Sequence, residues 1–264
     1  MSIETLMMSQ AGKGGVAEAE AIDFDGANDY LSRPSDLVGN SDGKICTFSF
    51  WVYKSGGGND YIFANASLGI YFLYYTDGKF TVNLRTADNN NVFAYGSPPG
   101  SMPLNTWNHI LISVDVNSPS TYGVYINDIA MTNAVVAYAN GVIEFTSAGG
   151  FAVAGNAPGS SLSIMRGSNL YLDYTYRDLS IEANRRLFIT EDLKPADGQE
   201  SLNPILYLPM DDPSAPGLNL GTGGDFNLNG VIARSGRGPN QWNCVASEFD
   251  GVNDYLSSTG IGAT

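Results

Sequence analysis

Hydrophobic residues recur at every second position along much of the chain from Ile22 onward. In KICTFSFWVY, Cys46, Phe48, Phe50 and Val52 share one side while Thr47 and Ser49 share the other, the period of a strand with one buried face. HILISVDV repeats the pattern, with Ile110, Ile112, Val114 and Val116 inward and His109, Ser113 and Asp115 outward. GIYFLYY and KFTVNLR, joined by TDG, predict a hairpin over residues 69–85, because Asp-Gly tolerates the positive φ of a tight turn. YGVYIND, LSIMRG and LYLDYTY read as further strands. One stretch, LSIEANRRLFI, has helical character: Ser180 can cap the free amides, Glu182 complements the dipole, and Leu187 falls below Ala183. About a dozen strands with one short helix predict an all-β fold, an antiparallel two-sheet sandwich in which each sheet hides one apolar face.

Composition agrees with many turns between short strands, since the chain carries 31 Gly and 12 Pro without a period. The formal charge of −14 would repel a phosphate backbone and an anionic leaflet alike, so neither nucleic acid nor membrane is an expected partner. MSIETLMMSQAGKGG has an early Glu and no apolar core, so it does not read as a signal peptide, and synthesis and folding are expected in a cytosol. Residues 1–20 read as an N-terminal arm and residues 21–211 as the sandwich. DDPSAPGLNLGTGGDFNLNG then shifts toward turn residues, so residues 212–264 are expected to form a C-terminal extension leading away from it. Cys46 and Cys244 are too few for a disulfide framework; Cys46 is expected in the core, and a bridge requires the two to meet in space.

The nonapeptide FDGANDYLS at residues 24–32 returns as FDGVNDYLS at 249–257, with Ala27 exchanged for Val252. Asp25, Asn28 and Asp29 are residues whose short side chains bond nearby amides and hold a turn. Their three oxygens could also contact a hard cation such as calcium. FDGANDYL followed by CTFSFWVY, NTWNHILISVD, YGVYIND and LYLDYTYRDLSIEANRRLFI resembles, in order, the strands of the concanavalin A-like, laminin-G-type jelly roll, over about residues 22–210. The last segment is similar to the version found in bacteriophage virion proteins. The resemblance implies an architecture and a setting without implying a reaction. The second nonapeptide reads either as the remnant of a tandem copy or as a strand that docks beside the first strand of its own or a neighbouring subunit, burying Phe249, Tyr255 and Leu256.

Catalytic signals are sparse. His109 is the sole histidine available to a Ser-His-Asp arrangement and reads as a surface or turn-anchoring residue. The Glu-x-Asp-x-x-Glu motif of glucanases with this fold is absent, and GKGG lacks the spacing of a phosphate loop. No Cys/His metal cluster is present in the sequence and no cofactor is expected. Tyrosines cluster in YFLYY and LYLDYTY, where Ile70, Phe72 and Tyr74 should lie opposite Tyr71, Leu73 and Tyr75; one set reads as core and the other as packing on a second sheet or subunit. Trp51, Trp107 and Trp242 likewise read as packing residues. The expectation is a non-enzymatic bacteriophage virion protein, a decoration, fibre or tail-associated subunit at the virion surface, homo-oligomeric and attached to other virion proteins through its terminal segments. The alternative is a carbohydrate-binding module for host surface glycans, with or without calcium.

Overall fold

The structure is a computed structural model and describes residues 21–239 apart from 57, 119–120, 133–134, 157–160 and 235–237. In chain order the strands begin with β1 (Ile22–Asp25), β2 (Tyr30–Arg33), β3 (Ile45–Tyr53), β4 (Asp60–Asn65), β5 (Ile70–Tyr74) and β6 (Phe80–Arg85). They continue with β7 (Asn91–Gly96), β8 (Trp107–Asp115), β9 (Tyr122–Ile126), β10 (Ile129–Ala130), β11 (Val135–Tyr138) and β12 (Phe151–Val153). After β13 (Ile164–Asp173) comes the single short α-helix among the described residues, α1 (Glu182–Arg185), then β14 (Leu206–Leu208), β15 (Asn227–Asn229) and β16 (Ala233–Arg234).

The strands form two antiparallel sheets. Sheet A runs β10-β9-β8-β3-β13-β1-β16, with β14 also on β13, and sheet B runs β11-β7-β6-β5-β4-β12-β2-β15. The inward rows are those the alternation predicts: Cys46, Phe48, Phe50 and Val52 from sheet A meet Ile70, Phe72 and Tyr74 from sheet B in one core. Phe48 stacks on Phe72 with centroids 3.9 Å apart, and Phe63 on Phe151 at 5.8 Å. The predicted hairpin of residues 69–85 is β5–β6, closed where Gly78 takes φ 74 and Asp77 Oδ1 accepts the Lys79 amide. Cys46 is buried in this core, and burial pushes its thiol up to about 12.

Three expectations change. LSIMRG and LYLDYTY are one strand, β13, kept continuous through a register irregularity between Ser168 and Tyr171 where Asn169 takes φ 52. The helix is a single turn with Ile181 at its N-cap, and Ser180 instead donates its hydroxyl to Asp178 Oδ1. The outward face of sheet A, expected to be polar and exposed, is roofed: Leu179 and Phe188 pack with Leu111 of β8, Tyr171 of β13 and Tyr207 of β14. Under that roof the polar positions satisfy one another, Thr47 Oγ1 donating to Thr175 O and lying 3.0 Å from Ser113 Oγ, and Ser113 Oγ accepting the Arg177 amide. Burial without a lost hydrogen bond is what makes hydroxyl residues acceptable there.

Residues 212–234 do not lead away. Asn219 is a hub, its Oδ1 accepting the Tyr207 and Gly221 amides while its Nδ2 donates to Ile205 O and Gly224 O. These bonds fold the turn-rich segment onto the sheet edge, where Phe226 enters the core, β15 pairs with β2 and β16 with β1. A chain ended after Asp211 is therefore expected to lose at least about 3 kcal/mol of unfolding free energy in urea melts, as for deleting one buried Phe. An unchanged midpoint would show that the sandwich closes without them. No helix among the described residues is long and apolar enough to cross a membrane.

Candidate functional site

The roof over sheet A stops short of one end of the sheet. Its last turn closes where the Thr190 amide donates to Lys194 O and Leu193 takes φ 55, and this turn borders the start of β8 and the end of β3. There Trp51 and Tyr53 are successive outward residues of β3, and the register sets Tyr53 opposite Trp107 and Trp51 opposite His109. The three aromatics line a cleft of about 580 Å³ together with Pro103, Asn105, Thr106, Asp192, Leu193 and Lys194. Tyr53 and Trp107 are tilted rings 5.8 Å apart, and the Arg166 guanidinium lies 4.9 Å from the Tyr53 centroid.

Trp51 is 2% exposed and its indole Nε1 has no hydrogen-bond partner among the described residues. That N–H is closed off from solvent, and a buried donor left unmatched costs about 1–3 kcal/mol. Apolar ring faces beside amide, hydroxyl and carboxylate groups are the chemistry that grips a sugar, whose own ring has an apolar face and a hydroxyl rim. Sequence reasoning took Trp51 and Trp107 for packing residues, which holds for Trp51, buried and stacked on His109, while Trp107 is half-buried at the cleft. The available signal was Trp51 and Tyr53 at consecutive outward positions of one strand, with Trp107 opening the next.

His109 does not face solvent. It is fully buried, stacked on Trp51 at 4.8 Å, and its Nε2 lies 2.8 Å from Ser49 Oγ. Burial holds the imidazole down at about 3, and the nearby Asp128 does little to lift it. Asp128 is already committed, accepting Arg185 Nε at 2.5 Å and Arg186 Nη1 at 2.9 Å. Ser49 and His109 have the spacing of a nucleophile and its base, yet both are sealed under the roof and the imidazole is far too weak a base near neutral pH.

Asp25, Asn28 and Asp29 sit in the turn between β1 and β2, where the chain crosses from sheet A to sheet B. Asp25 Oδ1 accepts the Ala27 amide at 2.7 Å and the Asn28 amide at 3.4 Å, and Asp29 Oδ1 accepts the Asp25 amide at 2.9 Å. Burial and the adjacent Asp25 raise the Asp29 carboxyl to about 6, while its hydrogen bond to Asp29 holds Asp25 low. No group of three or more His, Cys, Asp or Glu side chains able to hold a metal ion occurs among the described residues. Phe249, Tyr255 and Leu256 lie outside the described residues, as do Trp242 and Cys244. Of the tyrosine clusters, Tyr71, Leu73 and Tyr75 are half-buried on the outward face of sheet B, with Arg85 Nη2 donating to Tyr71 OH at 2.7 Å.

Two antiparallel sheets closed over one aromatic core, with a cleft at one end, define a lectin-like jelly-roll sandwich. The chain belongs to the concanavalin A-like lectin/glucanases superfamily, whose laminin-G-type model matches residues 25–167, more than half of it. No curated protein sequence matches it. Among solved structures, a Bacteroides ovatus protein provisionally named as carbohydrate-binding is similar in fold, with a TM-score of 0.51 and 14% identity over 74% of this chain and 52% of its own. The present chain thus spans about half the length of that protein. A heptameric SAP-like pentraxin of Limulus polyphemus aligns at a TM-score of 0.46 and 15% identity, over 66% of this chain and 83% of its own. Domain 4 of the Geobacillus stearothermophilus arabinanase AbnA, in complex with arabinotriose, aligns at 0.41 and 18% identity, over 63% of this chain and 79% of its own.

Proposed function

We propose that the protein is a non-catalytic carbohydrate-binding module whose glycan lies in the cleft over Trp51, Tyr53 and Trp107. The observation that carries this reading is the cleft lined by Trp51, Tyr53 and Trp107, where the half-buried Tyr53 and Trp107 rings stand beside amide, hydroxyl and carboxylate side chains. Membership of a lectin-containing superfamily and the similarity to a protein named for carbohydrate binding support it. Glycan-array screening followed by calorimetry is the test. The Trp107→Ala variant is expected to bind its best ligand at least about tenfold more weakly at unchanged thermal midpoint, since one stacking ring is worth roughly a kcal/mol or more. Absence of any glycan ligand, or equal affinity in the variant, would overturn the reading. Repeating the titration with a chelator tests calcium assistance through Asp25, Asn28 and Asp29.

A second reading, attachment within a virion, is favoured by one observation, the second nonapeptide with Phe249, Tyr255 and Leu256. Here the module would be a homo-oligomeric decoration, fibre or tail-associated subunit that presents the cleft outward. Loss of particle incorporation on deleting residues 1–20 or 240–264 supports it, and unchanged incorporation rejects it.

A further inference from the structure

The first nonapeptide fills a groove whose requirements can be read residue by residue. Phe24 and Leu31 are completely buried, one in β1 within sheet A and the other in β2 within sheet B. β1 is held between β13 and β16, and β2 between β12 and β15. Gly26 takes φ 73, and a Cβ there would lie 2.6 Å from Ile164 Cγ1, so the crossing demands glycine. Asp25 and Asp29 hold the turn through backbone amides, and Ser32 Oγ accepts Asn229 Nδ2 at 2.8 Å.

Residues 249–257 meet every one of these demands: Phe249, Asp250, Gly251, Asn253, Asp254, Tyr255, Leu256 and Ser257 repeat their counterparts. The single exchange, Ala27 for Val252, falls on an exposed turn position where a larger side chain has room. A copy that varies where the groove is open and is preserved where it is closed is chemically a second ligand for that groove. The stretch 235–248 joins β16 to it with 14 residues, enough to span roughly 46 Å. Since β16 lies directly beside β1, the copy reaches the groove of its own chain far more readily than that of another molecule.

We propose that residues 249–257 are an alternative occupant of the groove in the same chain, displacing residues 24–32 and releasing the segment that precedes Pro34. The two occupants are unequal. Just before the nonapeptide, the buried Ile22 is matched by Ser247. Loss of that apolar side chain favours the first occupant by about tenfold to a hundredfold. The first copy therefore holds the groove in the native chain, and the second takes over when the first is weakened or pulled away. The device would let a module lose its N-terminal strand, for instance to a neighbour, without unfolding.

The test uses full-length variants only. Phe249→Asp is expected to leave the thermal midpoint unchanged. Phe24→Asp is expected to lower it by about 5 °C or less, because the second copy replaces the first, whereas Phe24→Asp with Phe249→Asp is expected to fall by roughly 10 °C or more. The same series with Ala in place of Asp keeps the comparison readable if the charged variants do not fold. Rescue should be independent of protein concentration between 1 and 100 μM, on the order expected of a tethered strand. Equal midpoints for the single Phe24 and double variants would overturn the proposal, and rescue that grows with concentration would overturn the same-chain source.

Discussion

Between pH 7 and pH 4 the protein is expected to lose about 3 kcal/mol of stability through His109 alone. The imidazole titrates near 6.5 in an unfolded chain and at about 3 in the fold. Between those values the unfolded state binds a proton that the folded state refuses, so stability falls as pH falls, by about 1.4 kcal/mol per unit. The refusal is structural. Nε2 faces Ser49 Oγ, the ring is stacked on Trp51, and the one nearby carboxylate, Asp128, is already paired with Arg185 and Arg186. Asp29 acts in the opposite sense: its carboxyl is raised to about 6, so its contribution grows as pH falls from about 6 toward 3.8. The comparison that isolates His109 is therefore the difference in acid slope between the wild type and His109→Gln in urea titrations at pH 7, 5.5 and 4. Parallel slopes for the two proteins would mean that the buried imidazole gains its proton without cost and that the roof opens at mild acidity.

The same residue shows what alternation can and cannot tell. Period two correctly separated Ile110, Ile112 and Val114 from His109, Ser113 and Asp115, because a strand has two faces whatever lies over them. It does not say whether the second face meets water. Thr47, Ser49 and Ser113 look like surface residues in sequence, yet they are buried because a segment 60 or more residues further along the chain supplies Thr175 O and the Arg177 amide. The clue against exposure was mixed in with them, since Trp51, Leu111 and Tyr171 share that face and are too large and apolar to be left in water.

The cleft was illegible for a related reason. Trp51 and Trp107 become neighbours through the β3–β8 register, and no local pattern specifies that pairing. The turn-rich stretch after Asp211 misled in the other direction. Its composition correctly announced irregular backbone, but Asn219 turns that backbone inward with four hydrogen bonds, and composition carries no information about which asparagine will do so.

Replacing Asp60 by alanine is expected to cost about 3–5 kcal/mol, the typical result of leaving one member of a buried ion pair alone. Lys54 follows β3 and is completely buried, with its ammonium against the Asp60 carboxylate at the start of β4 and 5.9 Å from the centroid of Tyr74. Tyr74 is itself fixed, its hydroxyl donating to Met102 O at 2.7 Å, so the lysine has little freedom to swing out to water. Burial already lowers Lys54 to about 8 from 10.5, and removing its counter-charge lowers it further. Between that lowered value and 10.5 the unfolded state holds the extra proton, so stability rises with pH across the window. The Asp60→Ala deficit should accordingly be largest at pH 7 and shrink by pH 10 in matched urea melts against wild type. Replacing both partners by apolar residues, Lys54→Met with Asp60→Leu, should recover most of the loss, because neither a charge nor a large void is then left behind. A deficit under about 1 kcal/mol for Asp60→Ala would show that Lys54 reaches solvent when unpaired, and that this end of the sandwich is open where the structure closes it.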